Sequence, residues 1–372
     1  MRQVTYSLRL LLVCVLIVLG INSASRAQPA PTHTASSPLE RATHGINTLQ
    51  GWYNPSTGLY DTTGWWNSAN AITVLIDYSK VSGSMEYKPV FENTLTSAQN
   101  GKQGLKGFIN NFYDDEGWWA LAWIDAYDLT GDPQYLSMAE SIFFDMTTGW
   151  DEVCGGGVWW SKDRQYKGAI ENELFLSVAA HLANRDRINR VQYMGWANKE
   201  WHWFAHSGLI NQQNLVNDGL GTPDSKTTSH SCSNNGLTTW TYNQGVVLGG
   251  LTELSKLNPD RSLPQTARKI ATEAISVLVD SSGVLHETCE ANCGADGVQF
   301  KGIFVRNLAT FNAAYPRTAY KTFIQTNANA IWDASQGPDF QFGQIWSGPF
   351  DTANAGTQSA ALDAIIAAAG LH

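Results

Sequence analysis

The chain is poor in charged residues and has no cluster of basic ones. Charged residues make up 15% of its 372 residues, and the formal net charge is −9. An acidic chain without a run of lysines and arginines is a poor match for nucleic acid or for anionic membrane surfaces. The sequence therefore predicts neither of these partners. The aromatic content of 11% indicates a sizeable folded core rather than a disordered chain.

The N-terminal apolar run is too short to cross a bilayer. Ten apolar residues that begin at Leu10 follow Arg2 and Arg9, and small residues that end at Ala27 come after them. This order is typical of a secretory signal peptide, whereas a membrane span needs about 20 apolar residues. We therefore expect residues 1–27 to be a signal peptide, with a retained N-terminal anchor as the alternative. Its removal deletes three arginines and takes the formal net charge from −9 to −12.

Cysteine is scarce, with five residues in the chain. Cys14 lies in the predicted signal peptide, and an even number remaining in an exported chain favours two disulfides. Three pairings are possible. We predict Cys289–Cys293 as a local bridge and Cys154–Cys232 as a bridge between two long loops. A four-cysteine zinc site is the alternative, although the outer pair lacks the short spacing that such sites use.

Strand patterns are almost absent, and helical periodicity dominates. Residues 28–36 are predicted to be a short linker, followed by a single domain over 37–372. Apolar residues recur at three- and four-residue spacing in twelve segments of this domain. These segments lie near residues 37–50, 66–82, 84–111, 115–130, 133–148, 168–185, 188–207, 241–257, 260–281, 298–315, 317–335 and 353–370.

The connections between the predicted helices alternate in length. Short turns follow the second, fourth, sixth, eighth and tenth helices. Most of the others are long and rich in Gly, Trp, Asp and Asn, with the short link at 112–114 as the exception. The long ones are residues 51–65, 149–167, 208–240, 282–297 and 336–352. This alternation predicts an all-α fold, an (α/α)6 barrel of six inner and six outer helices, with the long loops at one end.

Two adjacent carboxylates and two adjacent indoles occur where one inner helix is expected to begin. Asp114 and Asp115 precede Trp118 and Trp119 in this segment. Two carboxyl groups beside a glycosidic oxygen can carry out glycoside hydrolysis, one as proton donor and the other as nucleophile or base. Indole faces offer flat apolar surfaces for sugar rings. The alternative is that the aspartates only cap the helix and that both tryptophans belong to the core.

Further candidates for substrate contacts lie in the long connections and at the starts of other inner helices. Ten of the 15 tryptophans fall in or beside the connections, and we expect three to five of them to contact ligand. Amide and hydroxyl groups suit neutral sugar hydroxyls. Helix capping and surface ion pairs are the alternative roles. The expected substrate-binding residues are Trp65, Asn67, Trp118, Trp119, Trp159, Lys167, Asn172, Glu173, Tyr242, Asn243, Gln244, Phe300 and Lys301.

Five separate segments together resemble one known family. They are Tyr113-Asp114-Asp115-Glu116-Gly117-Trp118-Trp119-Ala120, Cys154-Gly155-Gly156-Gly157-Val158-Trp159-Trp160, Glu171-Asn172-Glu173-Leu174, Trp240-Thr241-Tyr242-Asn243-Gln244-Gly245 and Gln299-Phe300-Lys301-Gly302. Over nearly the whole mature chain the sequence resembles glycoside hydrolase family 76, the secreted α-1,6-mannanases of bacteria and fungi. The resemblance implies an (α/α)6 barrel that cleaves internal α-1,6-mannosidic bonds with retention of configuration.

The resemblance also assigns the two aspartates, with Asp114 as the nucleophile and Asp115 as the general acid/base. A helix N-terminus favours the ionised form of the nearer aspartate, and its charge raises the pKa of the other. Non-helical dihedrals at the first aspartate would let both side chains reach one cavity. We expect a monomer that binds mannan polysaccharide or manno-oligosaccharide, without a cofactor or metal and, after signal cleavage, without a membrane partner.

Other functions compatible with these residues stay open from the sequence alone. A transglycosylase of the same fold would transfer mannan-containing glycans onto cell-wall polymers. A non-catalytic mannan-binding protein would use the same groove, although a binder does not need two carboxylates at one bond. A lyase or an unsaturated uronyl hydrolase acts on anionic sugars and needs basic groups in its groove.

Overall fold

The computed structural model describes residues 36–100, 105–221 and 232–371. The predicted signal peptide (residues 1–27) and all of the predicted linker except residue 36 lie outside the described residues. Within those residues the chain forms twelve α-helices and four two-residue strands. None of these helices is long and apolar enough to cross a membrane.

Six inner helices form a closed ring. Each packs against the next one around the ring, and the last returns to the first. Most of their residues are buried, as expected for helices that contact protein on all sides. The inner helices are α2 (Trp65–Ser82), α4 (Tyr113–Thr130), α6 (Ile170–Arg185), α8 (Thr241–Leu257), α10 (Phe300–Ala314) and α12 (Ala355–Ala369).

Six outer helices surround this ring, so the predicted (α/α)6 barrel is confirmed. They bury one face each, and α1, α5, α7, α9 and α11 pack on α12, α4, α6, α8 and α12 respectively. The outer helices are α1 (Pro38–Gln50), α3 (Lys88–Ser97), α5 (Pro133–Met146), α7 (Arg190–His206), α9 (Ser262–Val277) and α11 (Thr318–Ala334). The ends of α9 lie two and four residues inside the predicted segment.

Short turns link the C-terminal ends of the inner helices to the outer ones. Gly83 and Gly131 follow α2 and α4 with φ of 73° and 71°, a left-handed conformation that glycine adopts without steric cost. Asp132 then caps α5 through the backbone N–H of Gln134, and Pro133 occupies its first position. Because these turns are short, the long loops gather at the opposite end of the barrel.

The third predicted helix is much shorter than the sequence pattern indicated. The prediction covered residues 84–111, but α3 is Lys88–Ser97. Glycines at 101, 104 and 107 interrupt the periodicity, and Gly107 has a φ of 79° that helices do not use. Because α4 begins at Tyr113, the connection before it runs over residues 98–112 and is not the short link that we expected.

Short strands and disulfides hold the long loops together. Strand β1 (Tyr53–Asn54) pairs with β2 (Leu59–Tyr60) in a hairpin, and β3 (Lys167–Gly168) pairs antiparallel with β4 (Gly219–Leu220). The β3–β4 pair joins the loop before α6 to the loop before α8. Both predicted disulfides are present, and Cys154–Cys232 links these same two loops while Cys289–Cys293 closes a local turn.

Candidate active site

A cavity of about 580 Å³ opens at the end of the barrel where the inner helices begin. Residues of the first two turns of α2, α4, α6, α8 and α10 contribute to its wall, together with residues from the long loops. The lining consists of Gly64, Trp65, Trp66, Asn67, Asn110, Phe112, Asp114, Asp115, Trp118, Trp160, Tyr166, Gly168, Ile170, Glu171, Asp218, Tyr242, Ala295, Asp296 and Phe300. The paired aspartates thus share one cavity.

Both aspartates lie within the first turn of α4, which corrects the expectation of non-helical dihedrals at Asp114. The helix begins at Tyr113, and Phe112 is its N-cap residue in an extended conformation. Consecutive helical residues point about 100° apart. Both aspartates nevertheless reach one cavity, because the first turn of α4 forms part of the cavity wall. Trp160 bonds Asp114 there, and Asn110 bonds Asp115.

Asp114 is held by an indole and has an incompletely satisfied carboxyl group. The Trp160 Nε1–H donates to Asp114 Oδ2 over 3.0 Å, while buried Oδ1 has no hydrogen-bond partner. Burial raises the pKa of Asp114 to about 6, against the opposing effects of Trp160 and the backbone N–H groups. Burial therefore outweighs the helix N-terminus, whose influence we expected to lower the pKa of the nucleophile.

Asp115 is positioned by Asn110, a residue of the long 98–112 loop. The Asn110 side-chain amide donates to Asp115 Oδ2 over 2.6 Å. Asn110 is itself fixed, because its Oδ1 accepts the Phe112 N–H at 2.8 Å and its backbone N–H donates to Glu116 Oε1 at 3.3 Å. One asparagine thereby ties the loop to the N-cap residue of α4 and to two residues of its first turn.

Glu116 follows the pair but does not line the cavity. Its side chain is fully buried and forms an ion pair of 3.0 Å with Lys162, which also contacts Asp145 at 2.7 Å. Burial is the largest cause that raises the pKa of Glu116, to about 9. The third acid of this segment therefore supports the loop around Lys162 and does not replace either aspartate.

A row of aromatic rings forms one wall of the cavity. Trp66 stacks near Trp118 with ring centroids 5.6 Å apart, and Trp118 lies 6.4 Å from Tyr242 in a similar orientation. Tyr242 in turn stacks on Phe300 at 3.7 Å. The Trp66 indole is also fixed by Asp296, whose Oδ1 accepts its N–H at 2.9 Å. Such a row presents apolar faces on which successive sugar rings can lie.

Another part of the wall comes from the two loops that β3 and β4 join. Tyr166 donates its hydroxyl to Asp218 Oδ2 in a short hydrogen bond, and Trp240 donates to Asp218 Oδ1 over 3.0 Å. Asn235 donates to the Tyr166 hydroxyl over 3.1 Å. This network holds the Asp218 carboxylate and the Tyr166 phenol at the cavity wall, although the two residues are 52 positions apart in the sequence.

None of the described residues that line the cavity is Lys, Arg or His, whereas five are acidic. The acidic residues are Asp114, Asp115, Glu171, Asp218 and Asp296. An acidic lining of this kind disfavours anionic sugars, which bind to basic groups. It suits a neutral saccharide that hydrogen-bonds to carboxylates and amides and packs its C–H faces on the aromatic wall.

Of the thirteen predicted substrate-binding residues, five line this cavity. They are Trp65, Asn67, Trp118, Tyr242 and Phe300. The other eight do not line it, and most of them have protein partners instead. Trp119 is fully buried against Trp65, Phe108 and Trp123, so the two adjacent indoles face different environments.

Three of these eight residues tie the glycine-rich loop to the start of α6. Lys167 is buried, and its ammonium group bonds Asp151 at 3.0 Å and three backbone carbonyls of residues 153–157 at 2.6–2.9 Å. Trp159 donates to Asp151 over 2.7 Å. Asn172 bonds both the N–H and the C=O of Val158. The side chains of Lys167 and Asn172 thus provide hydrogen-bond partners for backbone groups of residues 153–158.

The remaining four are buried on inner helices and do not line the cavity. Gln244 exchanges two 2.8 Å hydrogen bonds with the backbone of Val216. Lys301 pairs with Glu290 and donates to the carbonyl of Gln344 over 2.8 Å. Glu173 and Asn243 are buried with no hydrogen-bond partner on their side chains. Which side chains of an inner helix face the cavity depends on how that helix is rotated in the ring. The spacing of residues in the sequence does not determine this rotation.

Several lining residues were not predicted as site residues. Asn110 falls within the predicted helix 84–111 and Phe112 within the predicted short link, while Tyr166, Asp218 and Asp296 lie in loops without a motif. Trp66 and Trp160 belong to the ten tryptophans in or beside the connections, without an individual prediction. The glycines at 101, 104 and 107 were the signal that could have identified the 98–112 loop.

Comparison with known proteins gives concordant results. The family described as glycosyl hydrolase family 76 matches residues 40–371. The chain is 26% identical over 345 residues to the Saccharomyces cerevisiae protein named mannan endo-1,6-alpha-mannosidase DCW1, covering 84% of this chain and 74% of the yeast protein.

Two solved structures show the similarity of fold. One is an inactive variant of the alpha-1,6-mannanase GH76A of Salegentibacter sp. HEL1_6 in complex with alpha-1,6-mannotetrose, with a TM-score of 0.80 at 23% identity over 90% of this chain and 99% of that one. The other is Dfg5 from Chaetomium thermophilum in complex with glucosamine, with a TM-score of 0.76 at 22% identity over 89% of this chain and 90% of that one.

Proposed function

The chain belongs to glycosyl hydrolase family 76, and we propose that it is a secreted, retaining endo-α-1,6-mannanase. The observation that carries this proposal is the placement of Asp114 and Asp115 in the wall of one cavity with different hydrogen-bond donors. Different surroundings allow two chemically similar carboxyl groups to take different roles. The acidic and aromatic lining supports a neutral polysaccharide as the substrate.

In the proposed reaction, the Asp114 carboxylate attacks the anomeric carbon and forms a glycosyl ester. Asp115 gives its proton to the glycosidic oxygen as the bond between that oxygen and the anomeric carbon breaks. Asp115 then takes a proton from a water molecule, whose oxygen attacks the same carbon. The ester bond to Asp114 breaks, and the released sugar has the original configuration.

The names of similar proteins support mannan as the substrate. The yeast relative is named a mannan endo-1,6-alpha-mannosidase, and the Salegentibacter enzyme is an alpha-1,6-mannanase in complex with alpha-1,6-mannotetrose. In the inactive form of that enzyme, two consecutive aspartates are replaced by alanine. Secretion is supported by the two disulfides and by the expected signal peptide at residues 1–27.

The reaction is tested with the purified protein and debranched yeast mannan. We expect oligosaccharides of several lengths, with the α-anomer appearing first in proton NMR spectra. Products longer than the substrate, formed with an acceptor saccharide present, would instead indicate a transglycosylase. Tight binding without new reducing ends would indicate a binding protein, and the absence of both binding and cleavage would contradict the proposal.

The separate roles of the aspartates are tested with two substitutions. Asp114→Asn and Asp115→Asn should each lower turnover of mannan by several orders of magnitude without changing the fold. An aryl manno-oligosaccharide has a leaving group that needs no proton. Asp115→Asn should therefore release a burst of the aryl alcohol from it, whereas Asp114→Asn should not. The reverse pattern would exchange the two roles, and wild-type turnover in either variant would remove that residue from the mechanism.

A further inference from the structure

Glu171 is a third carboxyl group in the cavity wall, and its two oxygens have different surroundings. It is the second residue of α6 and is fully buried. Oε1 accepts a short hydrogen bond from the Gly168 N–H and a second one of 3.2 Å from the Asn172 side chain. Oε2 is buried without a hydrogen-bond partner.

The charged and titratable groups around Glu171 disfavour its ionisation. Asp114 of α4 and Asp218, which precedes β4, are the nearby acids, with Glu173 on the same helix. Tyr166 and Tyr242 face it as neutral phenols. Lys167 is the nearby cation, but its ammonium group is bonded to Asp151 and three backbone carbonyls. Burial, followed by the charge of Asp114, raises the pKa of Glu171 well above its usual value.

The hydrogen bonds place the proton of a neutral Glu171 on Oε2. Both donors point to Oε1, so Oε1 has the environment of the carbonyl oxygen and Oε2 that of the hydroxyl. Gly168 makes room for this hydroxyl, because a Cβ at position 168 would lie 2.7 Å from Oε2. Asp114 Oδ1, in the same cavity wall, is buried and accepts no hydrogen bond of normal geometry, although the backbone N–H groups of Asp114 and Asp115 lie near that carboxyl group.

We propose that Glu171 is a positioning residue that stays a neutral carboxylic acid and, from Oε2, donates the hydrogen bond that stabilises Asp114 as a carboxylate. The bond is made directly or through one water molecule, which is energetically almost equivalent. This inference rests on the proposed role of Asp114 as the nucleophile. An ionised Glu171 would have the opposite effect, since a second negative charge would favour protonation of Asp114.

Two substitutions at position 171 separate donation from packing. Glu171→Gln keeps the acceptor for Gly168 and places an N–H₂ donor at Oε2, so kcat/KM on mannan should change by less than about threefold. Glu171→Leu has a similar volume but no donor. Without the donor the pKa of Asp114 rises, and the acidic limb of the kcat/KM profile should move up by about one pH unit, the effect of one charge-assisted hydrogen bond.

Glu200→Gln is the matched control. Glu200 is also buried with both oxygens unpartnered, but it lies on outer helix α7 away from the cavity. The Glu200→Gln substitution should leave the pH profile of kcat/KM unchanged. A purely structural role of Glu171 would lower the melting temperature of the Leu variant without moving its acidic limb, and this result would overturn the proposal. Equal losses of activity in the Gln and Leu variants would overturn it as well.

Protonation is measured independently of activity by infrared difference spectroscopy at neutral pH. The spectrum of wild type minus Glu171→Gln should contain the C=O band of a protonated carboxyl group. A carboxylate band in its place would show that Glu171 is ionised and would overturn the inference even if the Leu variant does not fold. This measurement needs no substrate, so its failure is distinguishable from failure of the proposed mannanase function.

Discussion

The side-chain amide of Asn110 donates a 2.6 Å hydrogen bond to Oδ2 of Asp115, and the backbone N–H of the same asparagine donates to Glu116. The orientation of the proposed acid/base therefore depends on a loop residue as well as on the helix that carries it.

Asn110→Ala should lower kcat/KM on mannan by on the order of 10-fold to 100-fold, because Asp115 loses the bond that orients it. Steady-state kinetics together with circular dichroism measures this effect. Asn111→Ala is the control, since the neighbouring amide bonds the exposed Asp163 at 3.0 Å instead. Equal losses in the two variants would point to general loosening of the loop.

The acidic limb of the pH profile should report the ionisation of Asp114. Its pKa is raised to about 6, and the nucleophile must be ionised, so kcat/KM should fall about tenfold per pH unit below that value. Trp160→Phe removes the N–H donor at 3.0 Å and should move the limb to higher pH. Trp201→Phe, on outer helix α7, should not move it. A limb near pH 4 in the wild type would contradict this assignment.

Asp114→Asn should make the protein more stable at neutral pH while removing its activity. The unfolded carboxyl group ionises above about pH 4, whereas the folded one ionises only above about pH 6. The cost in stability therefore grows between these two pH values and is complete above them. Below about pH 4 the group is protonated in the folded and unfolded states, and the advantage of Asn should disappear. Urea unfolding at pH 7.5 and pH 4 tests this. A gain of the same size at both pH values would indicate better packing rather than the removal of a charge.

Loss of the Cys154–Cys232 bridge should weaken substrate binding as well as the fold. The bridge spans 78 residues and joins the loops that carry Tyr166 and Asp218. The double Ser variant should lose about 2–4 kcal/mol of unfolding free energy and show a higher KM. The Cys289–Cys293 bridge spans only 4 residues, so its double Ser variant should lose less. The opposite order of stability losses would refute the argument from loop length.

The sequence predicted the number of helices and the alternation of short and long connections because these features depend on local patterns. Apolar residues at helical spacing identify helices, and the short turns with Gly and Pro identify hairpins. The paired aspartates, beside two tryptophans, were likewise visible as neighbours. The main local error was the 84–111 helix, where apolar spacing was given more weight than three glycines.

The tertiary structure decided which polar residues meet. Lys167, Asn172, Gln244 and Lys301 stand near the starts of inner helices in the sequence, as Tyr242 and Phe300 do, but only the last two line the cavity. The rotation of each helix in the closed ring sets this difference, and it depends on packing against both neighbours.

The sequence by itself determined a ring of helical hairpins with two carboxylates at one helix start. Only the folded chain brought Asn110 and Trp160 to those carboxylates, and Glu171 to the same cavity wall, from three segments that are separated along the sequence. The physical reason is that periodicity and turn residues act over a few positions, whereas hydrogen bonding and desolvation in the cavity depend on atoms that meet only after the ring has closed.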